Sequence, residues 1–191
     1  MSRNFTRYGT RGDTNLSVNN ELVRVAVDAM GGDYAPSEIV AGAVQAARQD
    51  DVQIMLVGDS DKIQPELSKH DITKLPIVAI PSEGVILEGE PPALALRDKP
   101  KSSILVATGM VKHGHADACV SMGSTGAAMA SAAVVLGVIK GIERPALGGP
   151  IIGFAPNTAI IDMGSNVDCR PGQMLSFAVI GRVFALSLIH I

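Results

Sequence analysis

The stretch VRVAVDAMGGDYAP, residues 23–36, decides the fold class. A Val-rich run ends at Asp28, the pair Gly31–Gly32 follows, and Asp33 stands shortly before Pro36. A continuous apolar run predicts a buried strand, and proline is typical of the first turn of a helix. Asp33 lies where a helix cap is expected. A strand that leads through a glycine-rich loop into a helix is the first half of a βαβ unit, so the stretch predicts an α/β fold.

The same alternation continues along the chain. Further strands are predicted at 52–59, 76–81, 117–121, 151–154 and 158–164, and helices at 36–48, 60–69, 93–97, 102–113, 126–140 and 171–185. Alternating strands and helices imply a mostly parallel sheet with helices on both faces. We therefore expect one layered α/β unit over residues 21–186, preceded by a disordered polar extension at 1–20.

Composition narrows the class of protein. The chain has 191 residues with 47% hydrophobic and 3% aromatic content, and its formal net charge is −3. It therefore offers neither the basic surface nor the aromatic stacking platforms of a nucleic-acid-binding protein. Its two cysteines form no disulfide framework, and residues 1–20 hold no signal-peptide core. These features predict a protein of a reducing cytoplasm.

Four polar, glycine-containing loops each follow a predicted strand, at 28–33, 57–61, 121–126 and 162–168. Ligands of parallel sheets bind outside the carboxyl ends of the strands, where such loops meet. We therefore expect these loops to share one edge of the sheet.

The loop SMGSTG at 121–126 is the most informative of them. Gly123 and Gly126 allow a close backbone approach, and Ser121, Ser124 and Thr125 offer hydroxyl groups ahead of a helix. These features outline an anion site, although the P-loop and dinucleotide-binding patterns are both absent. A glycine-rich turn with capping hydroxyls accounts for the same residues, and the local pattern leaves both interpretations open.

The loop carboxylates have several possible roles. They could cap or brace loops, pair with Arg97, Lys101 or Arg170, or bind a hydrated metal ion. Bracing is the favoured interpretation, and no metal site is predicted. The four residues are Asp28, Asp33, Asp162 and Asp168.

The remaining reactive side chains carry weak signals. Cys169 follows a polar loop but has no histidine near it in sequence, so we do not expect it to be a nucleophile. Cys119 lies inside an apolar strand and is predicted to be core. His113 and His115 straddle a predicted helix end without a third metal ligand, so a solvated helix terminus is the better interpretation.

Taken in order, several motifs resemble those of the bacterial phosphate acyltransferases of phospholipid synthesis. The similarity covers about residues 23–185 and rests most firmly on the first and last motifs. The motifs, in chain order, are VAVDAMGGDYAP, LVGD, PALALR followed by SSI, SMGSTGA, GIERPAL and DMGSNVDC.

The resemblance implies an enzyme that moves a long-chain acyl group from acyl carrier protein to inorganic phosphate. It implies a three-layer Rossmann-like sandwich, similar to phosphate acetyltransferases and isocitrate dehydrogenase. It further implies a homodimer without an organic cofactor, working beside the membrane glycerol-3-phosphate acyltransferase that consumes the acyl phosphate. The expected location is the cytoplasm, with peripheral membrane association as the alternative.

The resemblance also suggests roles for individual residues. Asn166, Asp168 and Thr125 are the candidate catalytic residues, with Asn166 or neighbouring N–H groups facing the oxyanion. Phosphate binding is assigned to Ser121, Gly123, Ser124, Thr125, Gly126, Arg97 and Lys101. Loop bracing is assigned to Asp28, Gly31, Gly32, Asp33, Asp162 and Gly164.

Three features depart from the family pattern. Ser124 stands where the motif commonly has asparagine, the segment GPIIGFAPNTAII is short, and the chain stops inside an apolar run. We expect a domain incomplete at its C-terminus, with 187–191 as an artefactual tail. Three alternatives stay open: a short-chain acyl-CoA phosphate acyltransferase, a non-catalytic anion-binding module, and an inactive fragment.

Overall fold

The computed structural model describes residues 22–150, 158–164, 166 and 168–189. The polar extension predicted at 1–20 and the strand predicted at 151–154 lie outside the described residues, as does the end of the predicted tail.

A parallel sheet of four strands forms the centre of the fold. The strands are β1 (Val23–Asp28), β2 (Val52–Gly58), β3 (Ile77–Pro81) and β4 (Ala118–Ser121), in the spatial order β3-β2-β1-β4. Every pairing is parallel. The central strands are apolar without alternation because helices cover both of their faces. The predicted parallel sheet is thereby confirmed.

One face of the sheet is covered by α1 (Ser37–Gln49) and α2 (Ser60–Leu67). Apolar residues recur along α1 at helical spacing, and they pack with Leu56 of β2 and Ile63 of α2 in one core. The helix begins one residue after Pro36, without a side-chain cap. The prediction that Asp33 caps it is wrong, because no side chain bonds the helix N-terminus.

The other face is covered by α4 (Ser103–Lys112), which follows the short helix α3 (Pro92–Asp98). Ala107 of α4 packs on Ala26 and Val57 of the sheet. These small side chains let the helix lie close to the strands. Helix, sheet and helix make the predicted three layers.

Two predicted elements differ from the structure. The helix expected at 126–140 is α5 (Thr125–Ser131) followed by a π-helical turn at Ala132–Leu136. It ends at Gly137, which adopts a left-handed φ of 86°. A residue with that φ cannot continue a right-handed helix, and glycine adopts it without strain.

The strand expected at 158–164 is only Ile160–Ile161, here β6, paired antiparallel with β5 (Gly148–Gly149). An added Cβ on Gly148 would collide with the backbone of residue 160. The helix α6 (Pro171–Ile189) completes the described chain and packs its Gly181 near Ile161. β5 and β6 form a separate two-stranded ribbon. The loop at 162–168 therefore does not follow a strand of the four-stranded sheet, and the prediction that it shares an edge of that sheet is wrong.

Candidate active site

The loops after β1 and β4 meet at the carboxyl edge of the sheet, because these strands are neighbours and Asp28 is in register with Ser121. Ser121 Oγ donates to Asp28 Oδ2 at 2.7 Å, and Gly123 N donates to Ser121 Oγ at 3.1 Å. Met30 N donates to Asp28 Oδ1 at 3.2 Å. The carboxylate of Asp28, only 3% exposed, therefore joins the two loops.

Glycine is required where these loops touch. A Cβ on Gly31 would lie 2.6 Å from Asp28 Oδ2 and 2.9 Å from Gly123 N. Gly32 has a φ of 115°, which side-chain-bearing residues rarely adopt. The glycine pair thus permits a backbone-to-backbone contact between two loops that are distant in sequence.

A cavity of about 340 Å³ opens beside this contact. The β1 loop contributes Met30, Gly32 and Asp33, and the β4 loop contributes residues 122–124. The third wall is the segment 85–88, which the sequence pattern showed only as a proline-flanked loop. The volume is at the lower end of the range for small-molecule sites.

An ion pair between Lys99 and Glu90 fixes the segment 85–88, which forms the third wall. Lys99 Nζ lies 2.6 and 2.7 Å from the two carboxylate oxygens of Glu90 and donates to Val85 O at 2.9 Å. The pKa of Glu90 is lowered from its ordinary value of 4.5, chiefly by the hydrogen bond from Lys99 and to a smaller extent by the one from Leu87 N. Sequence reasoning missed this brace, although opposite charges nine residues apart across a proline turn were a usable signal.

The 121–126 loop lines the cavity through residues 122–124, and three of its N–H groups have no described acceptor. Of the described hydrogen bonds, none uses the N–H of Ser124, Thr125 or Gly126. Ser124 Oγ caps α5 by accepting from Ala127 N at 3.4 Å, while Thr125 is exposed. Gly126 also has a packing role, because a Cβ there would lie 2.9 Å from Pro92 Cγ.

A second polar cluster surrounds Asp162, whose φ is 65°. Asn166 Nδ2 donates to Asp162 Oδ1 at 2.8 Å and to Pro145 O at 3.4 Å, and Arg144 donates to Asn166 Oδ1 at 3.2 Å. Both ends of the Asn166 amide are thus engaged within residues 144–166. Gly164, with a φ of 78°, supports the turn. Asp168 is exposed, and its charge acts on the neighbouring Cys169 thiol.

Cys169 belongs to this second cluster. Its Sγ lies 3.5 Å from Asp162 Oδ2. The pKa of the thiol is raised, chiefly by partial burial and to a smaller extent by the hydrogen bond and charge of Asp162. A raised pKa disfavours the thiolate, which is the reactive form of cysteine. That Cys169 is no nucleophile stays a prediction.

The two predicted phosphate-neutralising cations lie on the surface and pair with nearby acids. Arg97 Nε donates to Asp98 at 3.0 Å, and Lys101 Nζ donates to Glu83 at 3.1 Å. Both side chains are largely exposed. Their assignment to phosphate stays a prediction, as do the roles suggested for Asn166 and Asp168.

The fold first places the chain in a structural class. It superposes on a phosphotransacetylase from Streptococcus pyogenes with a TM-score of 0.57 at 17% sequence identity. The match covers 83% of this chain and 52% of that one. At this identity the likeness concerns the fold alone, and it supports the predicted Rossmann-like sandwich.

The sequence then defines the family. Residues 23–191 match the sequence model described as "Fatty acid synthesis protein", and the chain belongs to this family. A phosphate acyltransferase of Acaryochloris marina is 48% identical over 164 residues. Phosphate acyltransferases of Syntrophomonas wolfei and Synechocystis are 47% and 46% identical. The resemblance drawn from the motifs is confirmed.

The chain spans about half the length of these curated relatives. The aligned region covers 85% of this chain in all three comparisons, but 47%, 52% and 47% of the respective relatives. Among the described helices, none combines the length and apolar character required to cross a bilayer.

Proposed function

We propose that this chain takes part in transferring an acyl group from a thioester to inorganic phosphate. The observation that carries the proposal is the cavity at the carboxyl edge of the sheet. One of its walls is the loop in which the N–H groups of Ser124, Thr125 and Gly126 have no described acceptor. The relatives named phosphate acyltransferase support the same chemistry.

The chemistry needs no nucleophile from the protein. A phosphate oxygen attacks the thioester carbonyl carbon, the oxyanion collapses, and the carbon–sulfur bond breaks. The sulfur leaves as a thiolate that takes up a proton, and acyl phosphate is released. The protein's task is to hold phosphate within about 3–3.5 Å of the carbonyl carbon and to stabilise the oxyanion.

In this proposal the loops after β1 and β4 position the substrates. In this proposal the 121–126 loop binds phosphate through backbone N–H and hydroxyl groups, and Asp28 positions the loop through Ser121. One oxyanion donor is worth about 2.7–4 kcal/mol. An unused loop N–H fills that role most simply, because Asn166 must first release Asp162 and Pro145. Likewise, Arg97 and Lys101 would have to leave their carboxylate partners.

The finer part of the proposal concerns donor and setting. We propose a long-chain acyl group carried by acyl carrier protein, and an acyl phosphate product used in phospholipid synthesis by a membrane glycerol-3-phosphate acyltransferase. A homodimer in the cytoplasm, without an organic cofactor, belongs to the same proposal. A coenzyme A thioester is the alternative donor.

The test is acyl phosphate formation, trapped with hydroxylamine, from matched thioesters of acyl carrier protein and coenzyme A. A higher kcat/KM with the carrier protein supports the proposed donor, and the reverse favours coenzyme A. Thr125→Ala and Asn166→Ala test the assigned residues, with Ser68→Ala on the exposed end of α2 as the control. Rates within about threefold of wild type for both would remove them from the site. Stabilisation by phosphate without turnover would indicate a non-catalytic anion-binding module.

A further inference from the structure

A second cavity, also of about 340 Å³, lies on the α4 side of the sheet. Its walls come from three elements, α4, β4 and the helix formed by α5 with its π-helical turn. Representative lining residues are Ile104 and Val111, Cys119 and Ser121, and Ala128 and Leu136.

The cavity is elongated along the helices. Its lining residues occur on three successive turns of α4 and on three successive turns of the facing helix. Three successive turns are separated by two helical pitches, which correspond to a length of about 11 Å. At the far end, Lys112 Nζ donates to Leu136 O at 3.4 Å and ties the two helices together. The near end is Ser121, at the carboxyl edge of the sheet.

The walls require no polar ligand. The two hydroxyl groups among the lining residues of this cavity are already bonded: Thr108 Oγ1 donates to Ile104 O at 2.7 Å, and Ser121 Oγ donates to Asp28 Oδ2 at 2.7 Å. Burial raises the pKa of the Cys119 thiol, so this wall is uncharged. Because the hydroxyls are already satisfied and the other side chains are apolar, the space suits an aliphatic ligand.

The facing helix is irregular where it borders the cavity. Gly137 N donates to Ala132 O at 3.2 Å, an i to i+5 bond that closes the π-helical turn. Single π-helical turns inside α-helices occur often at functional sites. Here the turn lies along one wall of the cavity.

The apolar cavity and the phosphate cavity meet at the β4 loop. Ser121 lines the apolar one and bonds Asp28, whereas the next three residues line the polar one. We infer that the apolar cavity binds the aliphatic chain of the acyl donor, with the thioester carbonyl at Ser121 facing the phosphate loop. This inference rests on the proposed function. The volume is about twice that of an apolar cavity that holds benzene, so the space accommodates an alkyl chain of medium length.

The test is the acyl-length profile of acyl phosphate formation, from butyryl through octanoyl and lauroyl to palmitoyl thioesters. Ala132→Phe fills the cavity, and Leu136→Ala opens its far end, where Leu136 is 42% exposed. The matched control is Gly42→Leu, which fills the apolar hollow on the opposite face of the sheet, where an added Cβ meets nothing within 4 Å.

For wild type we expect kcat/KM to rise by up to about fourfold per methylene until the cavity is full. Ala132→Phe should lower the lauroyl-to-butyryl ratio by about tenfold or more, because it removes the space of several methylenes. Leu136→Ala should move the plateau to longer chains, and Gly42→Leu should leave the profile unchanged. An unchanged profile in both cavity variants, or a shortened one in Gly42→Leu, overturns the inference. If Ala132→Phe does not fold, Leu136→Ala decides.

A binding measurement tests this inference independently of the proposed function. If wild type forms no acyl phosphate from any thioester, the proposed function fails. Calorimetric titration with hexyl- and dodecylphosphonate then decides about the cavity. Tighter binding of the dodecyl compound, weakened by Ala132→Phe and not by Gly42→Leu, supports it. Equal affinity for the two compounds overturns it.

Discussion

Replacing Ser121 with alanine would separate the two loops at the centre of the candidate site. The hydroxyl donates to Asp28 Oδ2 at 2.7 Å and accepts from Gly123 N at 3.1 Å. After the substitution, Asp28 keeps the donor Met30 N at 3.2 Å, and its carboxylate is still only 3% exposed. A buried charge would thus have lost its shorter hydrogen bond, and Gly123 N would have lost its acceptor.

The expected cost follows from these contacts. A hydrogen bond to a charged group contributes about 1.5–3 kcal/mol. For a chain of this length, 1 kcal/mol shifts the melting temperature by about 2–4 °C, so Ser121→Ala should lower it by about 3–12 °C. If the loop must be held for the transition state, the same energy lowers kcat/KM by about tenfold to a hundredfold.

The assay is thermal unfolding followed by circular dichroism, with phosphate-dependent acyl transfer measured well below the transition. Ser68→Ala is the control, since among the described residues its exposed hydroxyl bonds the carbonyl of Pro65 and no other group. We expect it to change the free energy of unfolding by less than about 0.5 kcal/mol. A double-mutant cycle with Asp28→Asn should show a coupling of about 0.5–3 kcal/mol, because the two side chains are in contact.

Two results would refute this reasoning. A melting temperature of Ser121→Ala within about 1 °C of wild type would show that the hydroxyl does not hold the loops together. Additive effects of the Ser121 and Asp28 substitutions would show that the bond between them is not the source of the loss.

Three further predictions test other parts of the structure. Gly31→Ala should lower the free energy of unfolding in urea by about 1–3 kcal/mol, because its Cβ would lie 2.6 Å from a carboxylate oxygen. Gly42→Ala, on the open face of α1, should be neutral or stabilising. Equal effects of the two substitutions would contradict the loop packing. The pKa of Glu90 is lowered in the folded state, so its pair with Lys99 stabilises the fold above pH 4.5, the ordinary pKa of the group. This stabilisation is lost as the pH falls through the lowered pKa, so the melting-temperature difference between wild type and Glu90→Gln should shrink over that acidic range. A constant difference would argue against the pair. Leu56→Ala, at a fully buried position of β2, should lower the free energy of unfolding in urea by about 2–5 kcal/mol. A loss below about 1 kcal/mol would mean that the core between β2 and α1 is not packed as described.

Local patterns were sufficient for most of the fold. The run at 23–28, the glycine pair after it and the apolar spacing of α1 are readable one after another, because strands, turns and helices form from neighbouring residues. The same patterns placed the loops of β1 and β4 at one edge, since parallel strands end on the same side. They overestimated the helix after Thr125, where a left-handed glycine at 137 ends it early.

What the sequence by itself determined is therefore the fold class, the order of its elements and the family. Only the tertiary structure decided which side chains meet. Ser121 bonds Asp28 across 93 residues, residues 85–88 form a cavity wall, and Asn166 is engaged with Asp162. The physical reason is that such contacts depend on the order of strands in the sheet and on how loops pack above it. Neither leaves a periodic trace in the chain, whereas hydrophobic spacing and glycine or proline positions do.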